Sequence, residues 1–254
     1  VFKNIERYLA RKSNGIIAIS NLQKKELSQV HKIAPADKIE VIPLGFDLQK
    51  FQNNYELNRK KIRLKYDLDE ESIAICITGR LAPVKDHFFF LDVIDDLAVQ
   101  TSKKIKIFIV GDGELRDDIK LRVKVLQEKG IDILMTSWIL DIAEFNAGMD
   151  IMCLTSKNEG TPVSLIEAQA SNLPVISTDV GGVADIVLEN ETGFIISRKD
   201  KRAFVEKLKY LVENDVARIE MKNKGWGHVH LKFSFKRLAT DMETYYKKLL
   251  KDKE

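Results

Sequence analysis

The sequence predicts an α/β protein built on a parallel sheet with helices on both faces. Two observations carry that expectation. From residue 73 onward, short runs rich in Ile and Val alternate with stretches of helical period. The runs are also mostly apolar, without a polar residue at every second position, which is how strands buried on both faces read.

The strands expected in that part are Ile73–Thr78, Ile105–Val110, Ile131–Met135, Ile151–Leu154, Val175–Ser177 and Phe194–Ile196. Helical patterns fall at about 86–99, 114–129, 141–147, 162–171, 182–188 and 200–213, with two more at about 218–230 and 234–250. The first residues differ. A helix at about 2–13 leads to a strand, Gly15–Ile19, and a second helix at about 21–31. Lys38–Asp47 then reads as a short strand and a crossing punctuated by Pro and Gly. One βα pair does not make a stable sheet by itself, so these residues read as the end of another domain. Arg59–Arg63 and Arg116–Lys129 keep a helical period and are expected to be solvated faces.

With 254 residues, 44% hydrophobic and 31% charged, the chain can bury a substantial core in one large or two small domains. A net charge of +3 gives no argument for nucleic acid. Cys76 and Cys153 both lie in apolar runs and read as reduced core residues, which suits the cytoplasm. No apolar run approaches the ~20 residues needed to cross a bilayer, and no signal peptide is recognisable.

The chemistry-bearing residues fall just after the expected strands, where ligands of such sheets bind. Glu159 and Glu167 bracket a helix entrance in Asn158-Glu-Gly-Thr-Pro-Val-Ser-Leu-Ile-Glu167. Thr161 is expected as N-cap and Pro162 as first helical residue, leaving the amides of Val163 and Ser164 free for an anion. Glu167 lies among Leu165, Ile166, Ala168 and Ala170, so its carboxylate needs a partner. Gly79-Arg80…Lys85 closes the first strand of the main sheet, with positive charge for a diphosphate or for water. Gly111-Asp-Gly113 begins like a dinucleotide fingerprint but lacks its third glycine, which disfavours NAD; it is read as a turn bordering a nucleotide. Trp138 suits stacking beside a nucleobase, and suits a core or interface equally. Gly181-Gly182 allows close backbone approach at a site border or in an ordinary turn. Asp67 and Asp69 have the spacing of an acidic metal pair but sit in a loop entering a strand, and the histidines lack ligand spacing. No metal site is expected.

Together these segments resemble the retaining glycosyltransferases of family 4, of GT-B architecture. The Glu159-x7-Glu167 signature, Gly79-Arg80…Lys85, Gly111-Asp-Gly113 and Gly181-Gly182 carry the resemblance, and Ala18-Ile-Ser20 and Val41–Asp47 support it. The wording from Glu159 to Ala170 is nearest the capsular and exopolysaccharide transferases. The resemblance implies a Rossmann-like donor-binding lobe over 45–233, a remnant of the acceptor lobe and linker over 1–44, and a crossing helix over 234–254. Most of the N-terminal lobe would be missing, and such a piece would be inactive alone. Arg80, Lys85 and Glu159 would be the catalytic group: Arg80 and Lys85 neutralise the diphosphate and Glu159 holds donor-sugar hydroxyls. Glu167 would hold the ribose, while Gly79, Gly111, Gly113, Trp138, Gly160, Thr161, Val163 and Ser164 complete the donor site. The implied donor is a nucleotide sugar, most simply a UDP-sugar, with no metal or other cofactor. The implied acceptor is a saccharide or lipid-linked saccharide, with weak peripheral contact at the inner membrane face through the basic end Lys247–Lys251. Asn172 stands where the family has Gly, and tolerates the same left-handed turn. Two other readings are a nucleotide-sugar epimerase of this architecture and a non-catalytic nucleotide-sugar-binding module. The first wants acid and base groups beyond Glu159. The second sits poorly with an intact Glu pair.

Overall fold

The computed structural model describes residues 2–251; Val1 and residues 252–254, which belong to the expected first and last segments, lie outside the described residues. The chain forms two compact units. One comprises the residues up to Leu48 with those from His230 on, and the other is Gln49–Val229.

In the first unit, α1 (Phe2–Lys12) precedes β1 (Ile16–Ala18), α2 (Asn21–Lys25) and β2 (Ile39–Val41). The Ser20 hydroxyl accepts from the Gln23 amide and the Gln23 side chain accepts from Ile19, a reciprocal cap that starts α2. The expected single helix to residue 31 is not continuous α-helix. It passes into a π-helical turn, Glu26–Val30, where His31 donates to the Glu26 carbonyl at 2.8 Å. Ser28 bonds back to the Lys24 carbonyl at 2.7 Å, a local competitor of the regular ladder. The two expected strands form and pair with each other: β1 and β2 are parallel, Ile17 opposite Glu40, over a small core of Ala10, Ala18, Ile33 and Ile39.

The larger unit contains α3 (Tyr55–Lys65), β3 (Ile73–Thr78), α4 (His87–Ala98), β4 (Ile105–Val110), α5 (Arg116–Glu128), β5 (Asp132–Met135) and α6 (Ile142–Ala147). It continues with β6 (Ile151–Leu154), α7 (Val163–Ala170), β7 (Val175–Thr178), β8 (Gly193–Ile196), α8 (Lys201–Glu213) and α9 (Asp215–Phe233), whose last residues fall in the first unit. The strands form one six-stranded sheet in the order β5-β4-β3-β6-β7-β8, every pair parallel. Alternate residues of β3 and β4, Ile75, Ile77, Ile107 and Ile109, pack with Phe90 and Ile94 of α4 and Phe204 and Leu208 of α8. On the opposite face Phe108 meets Phe145 of α6 edge-on at 5.7 Å and Tyr66 at 5.2 Å. Burial on both faces is why these strands are mostly apolar.

Two expectations fail here. Residues 182–188 give only a 3-10 turn, Val183–Asp185, with Ile186 donating to the Val183 carbonyl. The chain then tightens around Thr192, whose hydroxyl accepts from the Leu188 amide, so no helix propagates. Nor are Arg59 and Arg63 of α3 merely solvated. Both grip Asp150 at the start of β6, at 2.7 and 3.0 Å, and Asp150 also accepts from the Ala74 amide at 2.8 Å. Cys76 and Cys153 are free, buried thiols on adjacent strands, and burial pushes both up.

The last helix, α10 (Phe235–Lys251), is tied into the first unit. Arg237 donates to the Pro43 and Leu44 carbonyls at 2.8 and 2.5 Å, and the Tyr245 hydroxyl lies where a Gly15 side chain would begin.

Candidate functional site

The strand order reverses between β3 and β6: β4 and β5 lie on one side of β3, while β6, β7 and β8 continue on the other. Loops leaving neighbouring strands at such a point diverge and leave a crevice at the carboxyl ends. The Gly79–Lys85 loop leaves β3 and the Thr155–Thr161 loop leaves β6. They are stitched together below the crevice. The buried Thr155 hydroxyl lies 3.1 Å from both the Lys85 and Asp86 carbonyls, and the Lys157 amide donates to Val84 at 2.7 Å. Thr178, at the end of β7, donates to the Ser156 carbonyl at 2.7 Å.

Lys85 and Glu159 meet across this junction. Lys85 Nζ lies 2.6 Å from Glu159 Oε1, and the same oxygen accepts from Ser156 Oγ at 2.5 Å. The Glu159 side chain is only 9% exposed, so the paired charge is largely withdrawn from water. Arg80 does not join this contact. It is 68% exposed and paired with Glu114 at 3.1 Å, a surface ion pair of the kind worth little and readily exchanged.

The helix entrance is one residue later than expected. α7 begins at Val163, its N-cap is Pro162 with an extended ψ of 96°, and no side chain caps it. Thr161 therefore lies one residue before the capping position. The Leu165 amide already bonds to the Pro162 carbonyl at 3.1 Å, whereas those of Val163 and Ser164 have no carbonyl within the helix to bond. Val163 and Glu167 are four residues apart and share a helix face. Burial raises the Glu167 carboxyl above the usual range and Lys50 opposes the rise. Among the described residues no donor hydrogen-bonds to the Glu167 carboxylate, so the partner expected for it is supplied only as this longer-range charge.

The glycines separate into two kinds. A side chain at Gly111, where φ is +139°, would lie 2.0 Å from the Gly79 carbonyl oxygen, and one at Gly113 would lie 2.5 Å from that of Leu81. One at Gly181, where φ is +54°, would strike the Glu159 carbonyl at 1.7 Å; one at Gly182 would lie 2.3 Å from that of Gly160. These four let site loops close on each other, as the turn readings of Gly111-Asp-Gly113 and Gly181-Gly182 allow. Gly79 and Gly160 leave room: a side chain at Gly160 meets nothing within 4 Å. Trp138 is 57% exposed, and its ring edge lies 3.6 Å from where a Gly111 side chain would begin. Asp112 ties these turns together, accepting from the Gly113 amide at 2.8 Å and the Ser137 hydroxyl at 3.1 Å, and those bonds lower its carboxyl.

The crevice thus gathers a helix N-terminus, a lysine and two carboxylates at a strand-order reversal. Residues 58–226, which hold the whole sheet, match the family of glycosyl transferases group 1. The chain belongs to that family. It is 30% identical over 227 residues to an Escherichia coli UDP-Gal:α-D-GlcNAc-diphosphoundecaprenol α-1,3-galactosyltransferase, covering 88% of this chain and 57% of that protein. It is 28% identical over 261 residues to the Staphylococcus aureus capsular polysaccharide biosynthesis glycosyltransferase CapM, covering 100% of this chain and 68% of that one. The chain thus spans little more than half the length of the first relative. Among solved structures, Anabaena Alr3699/HepE in complex with UDP superposes with a TM-score of 0.84 at 17% identity, over 97% of this chain and 68% of that one. The fold is therefore that of GT-B glycosyltransferases.

Within this group 1 transferase chain, the structure adds residues that the sequence reading passed over. Ser156 holds Glu159; its signal was its place three residues earlier on the loop leaving a strand. Lys50 faces Glu167 from a segment that carried no motif. His87 opens α4 next to the Lys85 turn, is fully buried, and has no hydrogen-bond partner for either ring nitrogen. Burial, with the Lys85 charge second, lowers it to about 4.

Proposed function

We propose that this chain is the donor-binding part of a retaining glycosyltransferase that moves a sugar from a nucleotide-diphosphate sugar to an acceptor hydroxyl in bacterial surface-polysaccharide synthesis. The observation that carries the reading is the Lys85–Glu159 contact of 2.6 Å, set at the strand-order reversal beside the free first-turn amides of α7. A leaving nucleoside diphosphate develops negative charge, and preorganised cations and amides aimed at it lower the barrier. Lys85 and the amides of Val163 and Ser164 supply that here, with Arg80 recruited from its exposed pair with Glu114. No metal is needed in this arrangement. Glu159, beside open space at Gly160, accepts donor-sugar hydroxyls, and Glu167 accepts the ribose hydroxyls. Gly79, Gly111, Gly113 and Thr161 shape the loops around the donor, and Trp138 borders the base.

The relatives support a UDP-sugar. One is named for UDP-Gal as donor and a diphosphoundecaprenol-linked acceptor, and the superposed Anabaena structure holds UDP. With a lipid-linked acceptor of that kind, the reaction we propose would run at the cytoplasmic membrane face. Of the basic residues at the end of α10, Lys247 pairs with Glu243 at 2.6 Å and Lys248 with Glu40 at 3.8 Å. At ~1 kcal/mol per free basic residue near an anionic surface, they add little to what the acceptor provides. Among the described residues no helix is long and apolar enough to cross a membrane.

Calorimetry of the chain with UDP, in the presence of a chelator, tests the donor site. Binding is expected, and Arg80→Ala and Glu167→Ala each weaken it by about tenfold, the loss of one charge-assisted hydrogen bond. No binding by the wild-type chain across a panel of nucleoside diphosphates and their sugars would remove the reading.

A further inference from the structure

The Lys85–Glu159 pair raises a problem for the donor site proposed above, on which this inference rests. Both groups are spent on each other, with Lys85 Nζ 2.6 Å from Glu159 Oε1. A diphosphate that recruits Lys85 strips the carboxylate of that bond. A largely buried carboxylate left without donors is costly and has no reason to keep its rotamer.

Ser156 is built to meet that moment. Its hydroxyl donates to the same Oε1 at 2.5 Å, and the residue is fully buried. Its own place does not depend on the donor. Its carbonyl accepts from Thr178 at the end of β7, and its neighbour Thr155 is bonded to the carbonyls of Lys85 and Asp86. The Glu159 backbone is held separately, because Gly181 and Gly182 pack against the Glu159 and Gly160 carbonyls, and the Gly182 amide donates to Gly160 at 3.0 Å.

We propose that Ser156 is a positioning residue for the sugar half of the donor: it keeps Glu159 oriented once Lys85 turns to the diphosphate. The hydroxyl is redundant in the free chain, where Lys85 also holds the carboxylate, and becomes the remaining side-chain anchor in the complex. Loss of the hydroxyl therefore acts on the sugar contact and spares the nucleotide contact.

Binding of two probes, UDP and UDP-galactose, to the wild-type chain and to Ser156→Ala and Ser156→Cys separates these effects. Cys keeps the buried volume with a weak donor, and thermal melting of each variant reports folding. The extra affinity of UDP-galactose over UDP is expected to fall by about tenfold in both variants, with UDP affinity within about twofold of wild type. Ser156→Thr, which retains the hydroxyl, restores the difference. An unchanged difference between the two probes in Ser156→Ala and Ser156→Cys overturns the proposal. So does an equal loss for both probes, which marks Ser156 as structural. Wild-type chain that binds neither probe removes the donor-site reading itself, and the proposal with it.

Discussion

Lys85 Nζ and Glu159 Oε1, 74 residues apart in the chain, stand 2.6 Å apart and join the loops that leave β3 and β6. In the donor site proposed for this chain they serve opposite ends of the ligand, Lys85 the diphosphate and Glu159 the sugar. Each is therefore a competitor for the other until the donor arrives.

That competition predicts opposite effects from the two sides of one ion pair. Lys85→Met removes the cation and should weaken UDP binding by about tenfold or more. Glu159→Gln releases Lys85 and should leave UDP affinity unchanged or tighter, while reducing the added affinity of a UDP-sugar. Lys85→Met should also lower the melting temperature, because it leaves a carboxylate that is 9% exposed with the Ser156 hydroxyl alone. Removing one partner of such a pair costs about 1–3 kcal/mol. Titration calorimetry and a thermal melt of the two variants check both statements. Equal weakening of UDP by both substitutions would contradict the competition.

His87 predicts a pH dependence of stability. Its folded value of about 4 lies below the ordinary 6.5 because the neutral ring is buried beside the Lys85 charge. The unfolded chain therefore binds the extra proton first as pH falls from about 6.5 to about 4, and stability drops across that window. Below about 4 both states are protonated and the loss is complete. The full loss is on the order of 3 kcal/mol. Urea titrations at about pH 7 and about pH 4.5 should show a smaller difference for His87→Leu than for the wild type; the same difference in both would rule His87 out as the cause.

Asp150 predicts a stability defect far from the crevice, at the opposite end of β6. It is 12% exposed and accepts from Arg59, Arg63 and the Ala74 amide, so it fastens α3 to the sheet. Asp150→Ala leaves two partly buried guanidinium groups with carbonyl acceptors but no neutralising carboxylate and should destabilise the larger unit by about 3 kcal/mol. Denaturant unfolding measures it. Nucleotide affinity under native conditions should stay within about twofold, because no crevice residue contacts Asp150.

The strands were readable because their physics is local. Ile73–Thr78, Ile105–Val110 and Ile151–Leu154 begin and end where the Ile-rich runs do, since a strand buried on both faces carries few polar positions to blur its edges. Residues 182–188 misread as helix because their apolar spacing fits one, while the tight turn bonds of Val183–Asp185 and the Thr192 hydroxyl four residues beyond Leu188 end the helix before it propagates. Arg59 and Arg63 misread as solvated for a different reason: their shared carboxylate, Asp150, is 87 or more residues away. Thr161 looked like a cap because Thr is a good one, but the helix starts one residue later and Pro162 takes the capping position.

At the crevice, Gly79, Arg80, Lys85 and Glu159 stood out because each follows a strand, where parallel sheets bind ligands, and Glu167 because it is a carboxylate inside an apolar helix. Which of them touch was decided by strand order. Placing β6 beside β3 brings Lys85 onto Glu159 and leaves Arg80 on Glu114. The same packing turns Gly111, Gly113, Gly181 and Gly182 into contacts between loops. The sequence by itself determined the element types, the buried strands and the residues able to hold an anion, because period, propensity and charge act within a few residues. Only the tertiary structure decided that Lys85, Ser156 and Glu159 share one oxygen, because that depends on which strands lie side by side.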